Sequence, residues 1–319
     1  MRLTIDEAKQ LARQAAIAAG ASVASASSLA DATVAAELSG HGAVGFAHLP
    51  DYLDGFRSGR IATNAQPEIS QPTPAAIRVD ARGGIAQLGF DQAFDILREQ
   101  AQRYGLAIFA QSNSYTAGEL GYYTRRLAEV GLVSIAASNG PAMVTTAASR
   151  LPVFGTNPFS FAAPVANGSP LVIDQASSAT AFVNLRAAAE NGESIPEQWA
   201  LDAAGAPTTN AHDALSGVLL AFGGARGANI ALMVEVLAAG LTGANWSLDM
   251  PSFDSGDQPL GAGLFVLAIN PEVLAPDLPA RVASQLERLA AKGLYIPGQR
   301  PMVDEIEIEP LLLSIIERG

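Results

Sequence analysis

Along most of the chain, apolar positions recur either every three or four residues or in short continuous runs, the two periods of helix and buried strand. Residues 5–19 and 26–39 carry the helical spacing, opened by capping candidates at Thr4 and at Ser25 or Ser27. Pro50 suits the first turn of a third helix that runs to about Ser58. From Arg60 to Pro74 the composition turns to Pro, Gln, Thr and Asn and predicts a connection. Alternation of short strands and helices then begins. Strands are expected at 76–79, 106–110, 132–137, 159–163, 171–173 and 264–269. Helices are expected at 90–104, 117–130, 179–190, 227–241 and 281–291, with a last amphipathic segment at 309–317. The pattern predicts a mixed α/β (α+β) protein with no internal repeat.

Composition narrows the function. The chain has 319 residues, 49% of them apolar and 16% charged, enough for a large core and unlike a disordered chain. No run approaches the roughly eighteen apolar residues of a membrane span, and the start of the chain lacks the apolar stretch of a secretory signal. There is no cysteine, which removes disulfides, thiolate catalysis and cysteine zinc sites, and a cytoplasmic location is expected. A net charge of −12 disfavours nucleic acid as a partner. No G-x-S-x-G, H-E-x-x-H or Walker lysine appears, which speaks against the common hydrolases. The G-x-G-x-x-G fingerprint is missing as well, so a bound dinucleotide would need a non-Rossmann scaffold.

Several tracts nevertheless look built for phosphate. Gly155-Thr156-Asn157-Pro158 is an amide-rich bend, and Asp174-Gln175 leads into Ser177-Ser178. Gly223-Gly224-Ala225-Arg226-Gly227 joins flexible backbone, a guanidinium and a helix N-terminus, and Gly298 and Arg300 sit in a late turn. Each tract alone is compatible with plain loop geometry. In this order and spacing they resemble the malate/L-lactate dehydrogenase-type family of NAD(P)-dependent oxidoreductases over residues 5 to about 300. The glycine–arginine tract looks nearest to its Δ1-piperideine-2-carboxylate/Δ1-pyrroline-2-carboxylate reductase branch.

The resemblance implies a non-Rossmann NAD(P)-binding sheet domain, 75–274, and a largely helical region formed by 1–74 packing with 275–319. It also implies a homodimer, NADPH or NADH as cofactor, and a small carboxylate-bearing substrate. The cofactor would meet Gly155, Thr156, Asn157, Pro158, Asp174, Gln175, Ser177, Ser178, Arg226, Gly227, Gly298 and Arg300. Arg226 inclines the choice to NADPH, since a guanidinium pairs with a 2′-phosphate, with a pyrophosphate contact as the equal alternative for that side chain.

At the reacting centre this chain departs from the family. Counting back without a gap from Leu49-Pro50-Asp51-Tyr52 places Tyr52 on the family's substrate tyrosine and His48 on its substrate arginine. Val44 then stands where the family has its proton-donor histidine. Thr116 occupies a second histidine position, after Asn113-Ser114-Tyr115, and Arg226 replaces a lysine. Asp174 matches the acid that polarises the donor histidine, with no partner evident. His48 becomes the leading replacement acid, with Thr116 and Asp174 in catalytic roles and Tyr52, His48 and Tyr115 toward substrate. His41 reads as a histidine favouring the negative end of a helix, and Asp174 alternatively as the cap of the turn at Ser177-Ser178. Two readings of the changed centre stay open. Either acid catalysis has moved, or the substrate is a cyclic imine whose protonated form already carries the charge that hydride neutralises. A 2-oxo or 2-hydroxy acid of sulfolactate or malate type is the alternative substrate, and a homologue that has kept the fold but lost the chemistry is the alternative to an enzyme.

Overall fold

A computed structural model of the chain describes residues 1–146, 149–298 and 303–318. The N-terminal strand β1 (Arg2–Thr4) leads into α1 (Ile5–Ala18) and α2 (Val23–Leu38), followed by α3 (Leu49–Ser58). Thr4 and Glu7 form a reciprocal capping box on α1, as the Thr4 signal predicts. The cap of α2 is Ser22, whose side chain accepts from the Ser25 N–H, so that helix starts earlier than its apolar spacing indicated. Alanine dominates the buried face of α1 and much of that of α2, which lets the two helices pack closely.

Next come β2 (Glu68–Thr73), β3 (Ala76–Asp80), α4 (Ala86–Tyr104), β4 (Leu106–Ser114), α5 (Gly121–Glu129) and β5 (Val133–Ser138). The polar stretch expected as a connection contains β2, an exposed edge strand; its outer position leaves no apolar run to announce it. After β6 (Val144–Thr145), β7 (Phe159–Ala163) and β8 (Leu171–Gln175) the chain enters a small lobe. It holds α6 (Phe182–Asn191), β9 (Ala200–Leu201), α7 (Ala211–Leu215) and β10 (Val218–Leu220). The remaining elements are α8 (Ala225–Glu235), a π turn at Val236–Gly240, β11 (Ala262–Ile269), α9 (Leu278–Ala290), β12 (Glu305–Glu307) and α10 (Pro310–Arg318).

Seven strands form the main sheet in the order β2-β3-β4-β11-β5-β7-β8. Helices α4 and α5 cover one face through Phe90, Leu97, Tyr123 and Leu127, and α8 with its π turn covers the other through Val234. β12 pairs antiparallel with β1, so the two ends of the chain meet beside α1. The strand directions fix the site. β3 and β4 are parallel, β11 runs opposite both β4 and β5, and β7 runs opposite both β5 and β8. The C-terminal ends of β4, β5 and β8 and the start of β7 therefore emerge at one end of the sheet. Asp174 stands near the end of β8, and the adjoining loops carry Thr116, Asn139 and Thr156.

Candidate functional site

A cleft of about 380 Å³ opens at that end of the sheet. Its walls include His41, Val44 and His48 from the segment between α2 and α3, Thr116 and Glu119 from the loop after β4, and Thr156, Pro158, Asp174 and Gln175 from the sheet end. Phe182 and Phe253 close the apolar side. A roomier hollow of about 520 Å³ lies far along the chain from these tracts, at the β1–β12 edge, lined by Arg2, Val303, Asp304, Glu305 and Glu307. Its three carboxylates would repel a phosphate-bearing ligand, so the sheet-end cleft is the site with fitting chemistry.

The segment 41–48 is held from below by Glu37 on α2, whose carboxylate accepts the Phe46 N–H at 2.8 Å. Burial raises the Glu37 carboxyl above its ordinary value, although that N–H partly offsets it. On this support His48 is 7% exposed and both its ring nitrogens are engaged. Nδ1 lies 2.7 Å from the Asp51 carboxylate and Nε2 lies 3.1 Å from the Thr116 hydroxyl. The Tyr52 hydroxyl donates to the Thr116 carbonyl and accepts from Gln87 Nε2 and from the Thr116 hydroxyl.

The Tyr52 hydroxyl is directed at a carbonyl and the Thr116 hydroxyl at Tyr52, so Thr116 Oγ1 is placed to accept from His48 Nε2, while Nδ1 faces the Asp51 carboxylate. His48 is thus held between a carboxylate and a hydroxyl. Burial pushes the Tyr52 phenol up to about 12, which keeps it protonated. Burial would also raise Asp51, but the hydrogen bond and charge of His48, with the charge of Arg186, outweigh it and hold that carboxyl below its usual range.

Across the cleft, His41 Nδ1 lies 2.9 Å from Glu119 Oε1, and Arg125 reaches the same oxygen at 3.5 Å. Glu119 is 4% exposed, and its other oxygen, Oε2, is buried without a hydrogen-bond partner among the described residues. Asp174 Oδ2 accepts the Gly121 N–H at the start of α5, at 2.7 Å, so it does not cap the turn at Ser177-Ser178. Donor atoms of His41, Glu119 and Asp174 all lie within 4.8 Å of one another, a spacing that a shared proton or a cation would hold together. Burial and the nearby Glu119 charge push Asp174 up to about 6, against the pull of Gly121, His41 and Arg125. His41 therefore does more than complement a helix end, and Asp174 has the partners its sequence position lacked.

The other sequence candidates fall into three groups. Thr116, Thr156, Pro158, Asp174 and Gln175 line the cleft with His48. Asn157, Ser177 and Ser178 are buried and bond inward: Asn157 Nδ2 to the Ala231 carbonyl and Glu235, Ser177 to the Asn157 carbonyl, Ser178 to the Thr180 carbonyl. Gly155 donates its N–H to Ser247, Gly227 is buried in the first turn of α8, and Gly298 sits in a turn against Val172. These residues lace the tracts together rather than line the cleft. Tyr52 is buried behind Thr116, and Tyr115 donates its hydroxyl to the Phe253 carbonyl at 2.6 Å, so neither forms part of the cleft wall. Arg226 is exposed in the first turn of α8, where Gly223 and Gly224 take left-handed φ of 57° and 64° that side chains resist. Arg300 lies outside the described residues. The amide-rich bend, the open glycine pair and the guanidinium at the start of α8 fit a phosphate-bearing cofactor.

The family model for malate/L-lactate dehydrogenase matches residues 3–305. The chain belongs to the malate/L-lactate dehydrogenase family. It is 34% identical over 306 residues to a Δ1-pyrroline-2-carboxylate/Δ1-piperideine-2-carboxylate reductase of Pseudomonas aeruginosa, covering 94% of this chain and 91% of that one. It is 36% identical over 305 residues to a (2R)-3-sulfolactate dehydrogenase (NADP(+)) of Chromohalobacter salexigens, covering 93% and 90%. The crystal structure of Δ1-piperideine-2-carboxylate reductase from Pseudomonas syringae superposes with a TM-score of 0.94 at 32% identity, covering 100% of this chain and 99% of that one. As a member of the family the protein is an NAD(P)-dependent oxidoreductase of the non-Rossmann kind.

Two site residues escaped the sequence reading. His41 lies three positions before Val44, and an ungapped register passes over it. Glu119 stands between Gly118 and Leu120-Gly121 in an otherwise uncharged loop, and that isolated acid was the available signal.

Proposed function

We propose that the protein uses NADPH to reduce a small substrate bearing a carboxylate next to C=N or C=O, a cyclic 2-imino acid of the pyrroline or piperideine type or a 2-oxo acid. The carrying observation is the cleft itself: His48, fixed by Asp51, and the His41–Glu119–Asp174 group line one space walled by the sheet-end loops. When bound, the cofactor supplies hydride. The chain supplies charge, shape and a proton.

His48 serves substrate binding rather than proton transfer. Both its ring nitrogens are engaged, with Asp51 and Thr116, and the Thr116 hydroxyl leads on to Tyr52 and a carbonyl. It stands at the family's arginine position, where an imidazole N–H would meet a substrate carboxylate once Thr116 yields. Phe182 and Phe253, packed edge to face, give the cleft an apolar side suited to a small ring. The imine reading is favoured by the relatives named as reductases. The relative named as a sulfolactate dehydrogenase keeps a 2-hydroxy acid as the second reading.

Residues 75–274 form the cofactor-binding body on this reading. Arg226 would meet the 2′-phosphate, and Arg226→Ala is expected to raise the KM for NADPH by about tenfold while leaving that for NADH nearly unchanged. A homodimer is supported by the exposed apolar run of Leu232, Met233 and Val236 continued by Trp246 and Leu248. Among the described residues no helix is long and apolar enough to cross a membrane; a chain free of cysteine fits the cytoplasm.

The test is a cofactor-oxidation screen against Δ1-pyrroline-2-carboxylate, Δ1-piperideine-2-carboxylate and a panel of 2-oxo acids. Turnover of at least one, with His48→Ala raising KM by about 10–100-fold and His48→Arg restoring it, supports the reading. Tight NADPH binding with no turnover of any compound would favour an inactive homologue.

A further inference from the structure

His41 sits where the sequence alone gave it no role. The family's donor position is Val44, an aliphatic residue on the cleft wall, and no proton can come from it. Yet the acid that position would pair with, Asp174, is present, and it is not alone. Glu119 brings a second carboxylate from the loop after β4, and the two converge on one imidazole from the loop after α2.

We propose that His41, held by Glu119 and Asp174, is the proton donor of this enzyme, the function moved three residues upstream of its position in the family. The inference rests on the reductase reading above. Four observations carry it. His41 lines the cleft and its side chain is 39% exposed there, so it can meet a substrate. Its Nδ1 is fixed by Glu119 at 2.9 Å, which orients the ring on the cleft wall. Glu119 Oε2 is buried with no hydrogen-bond partner among the described residues, a costly arrangement unless the residue is kept for its charge. His48, the other histidine of the cleft, has both ring nitrogens engaged elsewhere, with Asp51 and Thr116.

The chemistry balances with either substrate. Hydride arriving at the carbon of a 2-oxo acid turns the C=O bond into C–O⁻, and the His41 proton passes to that oxygen. For a cyclic imine the same proton goes to nitrogen first, and hydride then neutralises the iminium. In each case His41 is left neutral and regains a proton from water at the cleft mouth. Glu119 and Asp174 are positioning residues: their charge favours the imidazolium that must be present before transfer. The charged groups facing His41 are Glu119 from the loop after β4, Asp174 on β8 and Arg125 on α5; Glu37 on α2 lies beneath the same loop, bonded to the Phe46 N–H. Arg125 opposes the two acids and keeps the group from becoming a pure anion.

The experiment compares wild type, His41→Ala, His41→Gln, His48→Ala and Glu119→Gln in 2-oxo acid and cyclic imine reduction across pH, with NADPH affinity and thermal melting measured on each. His41→Ala and His41→Gln are expected to bind NADPH as wild type does and to lose about 10²–10³-fold in kcat on the 2-oxo acid. The loss on an imine assayed below the imine's own pKa should be smaller, because solvent protonates it. Removing a negative neighbour disfavours the imidazolium, so Glu119→Gln should move the alkaline limb of kcat/KM to lower pH while the protein still melts cooperatively. Two results would overturn the proposal. One is wild-type kcat and pH profile in both His41 variants; the other is activity that is lost to a chelator and restored by a divalent cation, which would make the three groups ligands. A wild type that turns over no substrate would sink the reductase reading itself, and this inference with it.

Discussion

At the scale of single residues, the site is governed by where charge sits and how it is held. Asp174 is raised to about 6 by burial and by Glu119, so between its ordinary value near 3.8 and about 6 the folded protein holds a proton that the unfolded chain has lost. Stability should accordingly fall as pH rises through that window and stay lower above it. Asp174→Asn removes the window. Its melting temperature is expected to exceed that of wild type at pH 7–8 and to match it near pH 4, while reductase activity drops; an unchanged pH dependence of melting would show that Asp174 ionises without strain. That His48, Thr116 and Asp174 come to one cleft was legible, because each could be placed by counting along a motif. His41 and Glu119 were not, because what joins them is a fold-level meeting of two loops more than seventy positions apart, 41 and 119. Periodicity carries no trace of that.

At the scale of elements, the helices and central strands were legible because each is long and buries one face, as α4 does with Leu97 and Ala101. Edge strand β2 and the two-residue strands β6 and β9 were not, since so few residues establish no period. The most constrained contact lies between β11 and the π turn after α8. A Cβ on Gly263 would come within 1.7 Å of the Ala238 carbonyl oxygen, so a backbone, not a flexible side chain, would have to yield. Gly263→Ala is expected to cost about 1–3 kcal/mol of stability, read as a lower urea midpoint. An unchanged midpoint would mean that the π turn can relax away from the sheet. Nearby, the buried Glu235 accepts from Asn157 Nδ2, the Ser247 N–H and the Ser247 hydroxyl, so the end of α8, the bend at 155–158 and the turn at 247–249 form one unit. The phosphate-like bend is thus positioned by a carboxylate on its far side.

At the scale of the whole molecule, the sheet gathers its parallel strand ends and the start of β7 at one edge, and loops from three regions of the chain meet there. The mixed α/β class was legible in the periodicity and the non-Rossmann fold in the resemblance; the sheet end where these loops meet was legible in neither. The same molecule leaves Leu232, Met233, Val236, Trp246 and Leu248 exposed on two segments tied together through Glu235 and Ser247. If this face joins two copies, Leu232→Glu with Leu248→Glu should convert a dimer to a monomer in analytical ultracentrifugation. A wild type that sediments as a monomer at micromolar concentration would contradict it.

The central claim is that hydride passes, within the cleft at the strand ends, between a reduced nicotinamide and the carbon beside a carboxylate. Incubation with NADPH carrying deuterium at the transferable position, together with Δ1-piperideine-2-carboxylate or an accepted 2-oxo acid, tests it most directly by mass spectrometry of the product. The account predicts one deuterium on the carbon that bears the new amine or hydroxyl, with His41→Ala forming the same labelled product at a correspondingly lower rate. Product without deuterium, or labelled cofactor recovered intact beside every substrate, would contradict it.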